Sequence, residues 1–209
     1  MKLYEKGPAP SAQRVSLFMA EKGIVIPRVD VDIRGGENIT DAFKEISVNG
    51  RIPVLELDDG STLCESIAIC RYLDAEFPTD HALFGDCPLS IGQVEMWNRI
   101  AEFQGLFSAF QAFRNITSIY DDRERCVEAW GVESKQRVIE FLPVLEKRLA
   151  ETPYLAGERF SVADITAYVM CGFIKNLGIH IDESLPSLVT WQQKLSQRPA
   201  FIEASAALG

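Results

Sequence analysis

The sequence predicts a mixed α/β half up to about residue 78 and an all-helical half after it, within a chain of 209 residues. Short β-like runs alternate with helical periodicity as far as Phe77. The segment 77–88 then holds two prolines and a glycine without periodicity, which is typical of a connector. No convincing strand follows it. We therefore assign residues 1–78 and 89–209 to two domains and residues 79–88 to a linker.

The α/β half begins with a strand, a helix and a second strand. Residues 2–4 and 26–33 have strand character, and the second run alternates apolar and polar residues as a half-exposed strand does. Between them, residues 12–22 carry apolar side chains at helical spacing, and Gly23 provides a left-handed C-cap. This order predicts a right-handed βαβ unit.

A hairpin and a helix complete this half. Residues 53–57 alternate as a strand, and Asp-Asp-Gly-Ser at 58–61 is a turn signal, so the run should pair in antiparallel fashion with residues 62–63. Residues 66–76 place their apolar side chains on one helix face. The predicted half is thus a βαβ unit followed by a ββα unit.

The second half has only helical periodicity. A long helix begins near Ile91 and continues through four phenylalanines, and another covers residues 138–149 with a kink at Pro143. A capping box at 161–164, Ser-Val-Ala-Asp, opens an almost uncharged helix that we expect at the centre of this domain. Short helices at 187–195 and 200–207 follow.

Composition and charge exclude several classes of protein. Hydrophobic residues make up 47% and charged residues 24%, so disordered, collagenous and coiled-coil chains are excluded. No run approaches the ~20 apolar residues of a membrane helix, and the amino end lacks a signal peptide, so we expect a cytoplasmic protein without a membrane partner. The 21 basic and 30 acidic side chains give a net charge of −9, which argues against nucleic acid as a partner.

Metal and disulfide chemistry are not expected. The five cysteines are scattered, with no Cys-x-x-Cys pair and no companion histidine spacing. His81 and His180 are isolated, and we assign them no chemistry.

Two motifs carry a resemblance to a known family. Residues 49–55, Asn-Gly-Arg-Ile-Pro-Val-Leu, and residues 63–69, Leu-Cys-Glu-Ser-Ile-Ala-Ile, resemble the glutathione-site signature of the glutathione transferases. The 161–164 capping box resembles that of the family's second domain, and the similarity extends over essentially the whole chain. It implies a thioredoxin-like domain followed by an all-α helical bundle, glutathione as co-substrate, no metal and a homodimer, in a bacterial-type, serine-type or nu-like class.

The resemblance implies a role for the Ile52–Pro53 bond. An X-Pro bond is cis in only ~5% of cases, so sequence alone would not predict a cis bond here. In the family this bond is cis, and the backbone N–H and C=O of the residue at Ile52 pair with the cysteinyl peptide of glutathione like a short added strand.

Glu65, Ser66 and Arg51 are further candidates for binding glutathione. Ser66 could simply cap the helix that it begins. Alternatively, the helix start and the Ser66 hydroxyl bind the carboxylate of the γ-glutamyl group, while Glu65 accepts its ammonium group. Arg51 is either a solvated loop cation or a contact near the peptide, as the family resemblance suggests.

Thiol activation points to Ser11, with Tyr4 as the alternative. Lowering a thiol pKa from ~8.5 by ~2 units requires about 2.7 kcal/mol of preferential anion stabilisation, which a hydroxyl donor at a helix start can supply. Ser11 is either an ordinary N-cap or the active hydroxyl that serine-type members carry at this junction. Tyr4 corresponds to the donor of tyrosine-type members, or is a packed strand residue. No cysteine stands at this junction, which disfavours catalysis through a protein mixed disulfide.

The phenylalanine stripe of the long helix has two interpretations. Its members, Phe103, Phe107, Phe110 and Phe113, could form a packed core or a subunit contact. By resemblance the helix lines the pocket for the electrophile, and Phe107 and Phe110 are then the candidates.

We therefore expect a transferase that conjugates the thiolate of glutathione to hydrophobic electrophiles. Three alternatives stay open: a disulfide reductase that uses two glutathiones, which the run Pro8-Ala9-Pro10-Ser11 resembles; a glutathione-dependent isomerase or dehalogenase; and a non-catalytic binding or regulatory protein. Because glutathione is anionic and the chain is acidic, its binding should depend on local potential and be sensitive to salt.

Overall fold

The computed structural model of the protein describes residues 1–80 and 82–207, with the backbone alone at 205–207. The chain forms two compact units, Met1–His81 with Gln197–Gly209, and Ala82–Ser196. This division differs from the predicted domain boundaries at the carboxyl end. The last helix groups with the first unit, where Arg198 binds Glu21 through two hydrogen bonds of 2.6 and 2.7 Å.

A four-stranded sheet forms the centre of the first unit. Its strands are β1 (Lys2–Glu5), β2 (Arg28–Asp30), β3 (Val54–Glu56) and β4 (Thr62–Cys64), in the spatial order β2-β1-β3-β4. β1 pairs in parallel with β2, whereas the β1–β3 and β3–β4 pairs are antiparallel. The helices of this unit are α1 (Pro10–Lys22), α2 (Asp41–Lys44), α3 (Ser66–Glu76) and α9 (Pro199–Ala207). The predicted βαβ and ββα units are confirmed.

Local chemistry explains where these elements begin and end. Pro10 is the first residue of α1, a position where its missing N–H costs nothing. Gly23 ends α1 with φ 66°, as predicted. β2 is shorter than the predicted run 26–33, although the Val31 N–H still donates to the Glu5 carbonyl at 2.8 Å. The sequence analysis missed α2, a single turn that is capped by Thr40 and buries Phe43.

The second unit is helical, as predicted. Its helices are α4 (Pro88–Ile100), α5 (Ser108–Thr117), α6 (Glu128–Glu151), α7 (Val162–Phe173) and α8 (Pro186–Ser196). A π-helical segment, Ala101–Phe107, joins α4 to α5 and was not predicted. α6 runs through Pro143 and is longer than the predicted 138–149. Within the described part of the chain, no helix is both long and apolar enough to cross a membrane.

The 161–164 capping box fixes the buried helix α7. Asp164 accepts hydrogen bonds from the Ser161 N–H (3.0 Å) and hydroxyl (3.1 Å), from the Leu155 N–H (3.0 Å) and from the Trp191 indole (3.1 Å). Burial raises the pKa of this carboxyl, and the hydrogen bonds counteract part of that effect. Asp164 thus connects the start of α7 to the loop that contains Leu155 and to Trp191 of α8.

Candidate glutathione site

The register of the sheet brings three chain segments to one edge, which we call the site edge. Tyr4 pairs with Val54, and Val54 pairs with Cys64. Because both pairs are antiparallel, β1 ends, β3 begins and β4 ends at the same edge. The segments 6–11, 49–53 and 65–66 adjoin these strand ends, so this edge carries the candidates Ser11, Ile52 and Glu65.

The Ile52–Pro53 peptide bond is cis, as the resemblance implied. Neither the N–H nor the C=O of Ile52 has a hydrogen-bond partner among the described residues. Unpaired main-chain groups next to a strand can accept an added extended peptide. Pro53 is buried, whereas Ile52 is only half-buried.

Ser47 holds the loop that precedes this bond. Its side chain is fully buried, and its Oγ donates to the Arg51 carbonyl at 2.8 Å while it accepts from the Arg51 N–H at 3.0 Å. The Cys64 thiol lies 3.8 Å from the same oxygen. Ser47 therefore ties the loop to β4 and positions the backbone around Ile52. The sequence analysis did not single it out, because a lone serine carries no signal without its partners.

Glu65 adopts a rare backbone conformation, φ 68° and ψ 116°, immediately before α3. Its exposed carboxylate accepts a hydrogen bond from the Asn49 side-chain amide at 3.0 Å. Residues other than glycine reach such φ values at an energetic cost of about 1–3 kcal/mol, and they concentrate at functional sites. Asn49, a positioning residue that the sequence analysis did not identify, thus holds a strained acid at the site edge.

Ser66 is the first residue of α3 and is 2% exposed. Its hydroxyl oxygen is buried and has no hydrogen-bond partner in the described structure. The first helical hydrogen bond runs from the Ile69 N–H to the Glu65 carbonyl at 2.9 Å, so the N–H groups of Ser66 and the two residues after it have no helical acceptor. The simple capping role is not observed, since Glu65 is the N-cap and no side chain caps this end.

Ser11 is the second residue of α1 and is half-buried. The N-cap is Ala9, so Ser11 is not an ordinary capping residue. Its hydroxyl has no partner within the described part of the chain. The first α1 bond joins the Gln13 N–H to the Ala9 carbonyl at 3.0 Å, which leaves the N–H groups of Ser11 and Ala12 free at the positive end of the helix.

Tyr4 has a hydroxyl that is already engaged. It donates to Glu56 Oε2 at 2.7 Å and accepts from Lys2 Nζ at 3.2 Å. The hydroxyl and the Lys2 ammonium hold the pKa of the Glu56 carboxyl below its usual value. The Tyr4 ring packs edge-to-face on Phe43, with ring centroids 6.3 Å apart. Tyr4 thus has the environment of a packed strand residue.

Arg51 supplies the cation of the site edge. Its side chain is exposed, and it forms no ion pair with any described residue. Its backbone is fixed by Ser47, so the guanidinium remains available to an anion.

The phenylalanine stripe divides into two pairs within the second unit. Phe103 and Phe107, in the π-helical segment, are 58% and 50% exposed. Phe110 and Phe113 instead pack edge-to-face on Phe173, at 5.2 and 5.4 Å. The wider π turn changes the helical register between the pairs.

No cluster suited to a metal ion occurs among the described His, Cys, Asp and Glu side chains. His180 is exposed, and His81 lies outside the described residues.

Family models match both halves of the chain. The model of the glutathione S-transferase N-terminal domain matches residues 9–76, and that of the C-terminal domain matches residues 123–199. Among curated proteins, glutathione S-transferase 2 of Saccharomyces cerevisiae is 30% identical over 209 residues, which cover 96% of this chain and 87% of that protein.

Solved structures agree with these matches. A glutathione S-transferase of class Gtt2 from Vibrio parahaemolyticus is 53% identical with a TM-score of 0.88, covering 98% of this chain and 97% of that one. Gtt2 from Saccharomyces cerevisiae has a TM-score of 0.93 at 30% identity, covering 98% and 100%. These neighbours confirm the predicted thioredoxin-like domain followed by an all-helical domain. The chain is a member of the glutathione S-transferase family.

Proposed function

We propose that this protein is a glutathione transferase, which joins the sulfur of glutathione to an electrophilic carbon of a hydrophobic co-substrate. The observation that carries this proposal is a set of unsatisfied polar groups at the site edge. The backbone of Ile52 and the hydroxyls of Ser11 and Ser66 have no partner among the described residues. Unsatisfied polar groups cost stability unless a ligand or water pairs with them.

Each group matches one part of glutathione. The Ile52 N–H and C=O would pair with the cysteinyl peptide as an added strand does. The start of α3 and Ser66 would bind the γ-glutamyl carboxylate, and Glu65 would accept the neighbouring ammonium. Arg51 would contribute a positive charge near the peptide. The acidic chain would then hold an anion through local groups alone.

Ser11 would act on the sulfur. A hydrogen bond from its hydroxyl, together with the start of α1, favours the thiolate over the thiol, and the thiol proton passes to solvent. With a chloronitrobenzene, the thiolate forms a new C–S bond while the C–Cl bond breaks and chloride leaves with the electron pair. Thiolate stabilisation and proximity would supply most of the rate.

Aromatic side chains of the second unit suit a flat, apolar co-substrate. We assign this contact to Phe107, whose ring is half exposed, and to Phe110, which is held edge-to-face by Phe173.

The test compares Ser11→Ala with Tyr4→Phe in a chloronitrobenzene conjugation assay. Removing one preorganised donor costs roughly 10²–10³ in kcat, so we expect a loss of this order for Ser11→Ala with little change in glutathione affinity. Tyr4→Phe should stay close to the wild-type kcat, because that hydroxyl is engaged by Glu56. Unchanged turnover in Ser11→Ala would refute the role of Ser11.

Two companion assays separate the alternatives. Reduction of hydroxyethyl disulfide without conjugation would favour the disulfide reductase that uses two glutathiones. Absence of both activities, together with no retention on immobilised glutathione, would favour a non-catalytic binding protein.

A further inference from the structure

A second candidate binding site lies within the helical unit and shares no residue with the site edge. A cleft of about 460 Å³ opens between α6 and the loop before α8. Small-molecule sites typically have volumes of roughly 300–1,000 Å³. We call this the α6 cleft; its wall on α6 includes Ile139 and Pro143, and its loop wall includes Ile179 and Leu185.

Hydrocarbon dominates these walls. Leu142 lies with Ile139 and Pro143 on the α6 side, and Ile179 is buried. Ile139 nevertheless remains 41% exposed, so the cleft leaves apolar surface open to solvent. Covering that surface with the apolar part of a ligand is favourable by about 25 cal/mol per Å².

Lys135 is the exceptional group of the α6 cleft. It is half-buried and forms no ion pair with any described residue, in a chain that holds 30 acidic side chains. The helix explains why: the positions one turn before and after Lys135 are Gly131, Val132, Val138 and Ile139, none of which is acidic. A cation that is partly removed from water therefore has no internal counterion.

The loop wall adds polar groups without opposing this charge. His180 and Ser184 line the cleft opposite α6. The loop has two acids, Asp182 and Glu183, and neither is a lining residue. Asp182 accepts from the Ser184 N–H at 2.9 Å and hydroxyl at 2.6 Å. No acidic residue lines the α6 cleft, so its charge suits an anion.

We propose that the α6 cleft binds a small aliphatic carboxylate. The carboxylate pairs with Lys135 beside His180, and the hydrocarbon chain lies against Ile139, Ile179 and Leu185. One ammonium group in an apolar surround matches one negative charge with an apolar body, rather than a multiply charged phosphate. This site is independent of glutathione binding and of the proposed conjugation.

Calorimetric titration of the full-length protein with decanoate and with 1-decanol tests this proposal. The two ligands share a hydrocarbon chain and differ in the charged head. A charge-assisted hydrogen bond is worth about tenfold in affinity, so decanoate should bind about tenfold more tightly than decanol. Titrations run with saturating S-hexylglutathione should give the same result. Equal affinities, or loss of decanoate binding with S-hexylglutathione, would overturn the proposal.

Three variants locate the site. Lys135→Met keeps the apolar stem and should weaken decanoate binding about tenfold. Ile139→Glu puts an acid one turn after Lys135, where it would neutralise the ammonium and repel the ligand, so binding should be lost. Lys175→Met removes a charge from an exposed neighbouring position outside the cleft and should have no effect. Unchanged binding in Lys135→Met, or equal losses in both lysine variants, would refute it.

Discussion

Glu65 and Asn49 show how single residues prepare the site edge. The acid follows a strand directly and precedes a helix, and the chain turns between them through φ 68°. The Asn49 side-chain amide donates a hydrogen bond to Glu65 Oε1 at 3.0 Å and so restricts the orientation of the carboxylate. The second oxygen of Glu65, Oε2, stays available as an acceptor. If glutathione binds as we propose, its ammonium group would meet an acceptor that is already oriented.

Replacement of Asn49 should weaken glutathione binding without slowing the chemical step. We expect Asn49→Ala to raise the KM for glutathione roughly three- to fivefold, as for one exposed hydrogen bond. Asn49→Asp should raise it further, because a second carboxylate would repel Glu65. Steady-state kinetics with varied glutathione give both values. A fall in kcat at unchanged KM, or equal effects of the two variants, would contradict this role.

The cysteines differ in predicted reactivity. Cys87 is exposed at the start of α4, where hydrogen bonds between its thiol and the side chain and backbone of Ser90 lower the pKa of the thiol. Burial raises the thiol pKa to about 12 for Cys70 and Cys171. Because the thiolate reacts, Cys87 should be labelled first, and at lower pH than an ordinary cysteine, while the buried pair reacts only after unfolding.

Maleimide labelling followed by mass spectrometry checks this order. Cys87→Ser should abolish the fastest phase, and Ser90→Ala should slow it by raising the thiol pKa towards its ordinary value. A fast phase that persists in Cys87→Ser would show that another thiol is the reactive one.

At the level of residues, sequence motifs point to only part of the candidate site. Ile52, Glu65 and Ser66 belong to motifs whose order carries the family resemblance, so the amino-acid sequence alone was enough to propose them, and their roles in binding glutathione stay predictions. Ser47 and Asn49 could not be assigned their roles, because these depend on contacts with Arg51 and Glu65 that only the folded loop brings together. Non-local hydrogen bonds of this kind leave no periodic signal.

At the scale of elements, periodicity predicted the regular helices and strands but not the departures from them. α3 matches the predicted bounds, and α1 differs at its start alone. The single-turn helix α2 is too short to show a period. The π-helical segment Ala101–Phe107 carries its apolar residues at the spacing of an ordinary α-helix, so periodicity does not distinguish it. Its packing against α6 and α7 is non-local and leaves no signal in the pattern.

Gly105 indicates how close that packing is. A Cβ atom at this position would lie 2.9 Å from Phe141 Cε1 and 3.2 Å from Met170 Cγ. Gly105→Ala should therefore destabilise the protein by about 1–3 kcal/mol, through the cost of overpacking. The matched control is Gly172→Ala in α7, where no heavy atom lies within 4 Å and alanine should stabilise by roughly 0.5–1 kcal/mol.

Urea unfolding at one protein concentration measures both free energies. Opposite shifts of the unfolding midpoint are expected for the two variants. Equal shifts would mean that the close approach at Gly105 does not limit the residue size, and that glycine is there for backbone freedom alone.

At the scale of the whole molecule, the net charge of −9 would act against the proposed binding of anionic glutathione, and local groups would have to overcome it. These groups lie at two helix starts and at Arg51, all in the first unit. The net charge gives no reason for the homodimer that the family resemblance predicts. Exposed apolar side chains are the feature that indicates where such a dimer would form.

An apolar stripe runs along α4 into the π-helical segment. Leu89, Met96 and Phe103 recur every seven residues and are 70%, 49% and 58% exposed. Arg99 alongside them is neutralised by Glu95 and Glu102, at 2.8 and 2.6 Å. A stripe of large side chains that stays open on one protomer is typical of a surface that a partner covers. We expect this stripe to lie in the interface of a homodimer.

The combined Leu89→Glu and Met96→Glu substitutions should therefore convert the dimer to a monomer. Two carboxylates on each stripe would have to be desolvated beside their counterparts, which opposes association. Light scattering after size-exclusion chromatography should show a mass near 23.3 kDa instead of twice that value. Val132→Glu, at a 58% exposed position of α6, serves as the control and should remain dimeric. A double variant that stays dimeric, or a control that dissociates equally, would place the interface elsewhere.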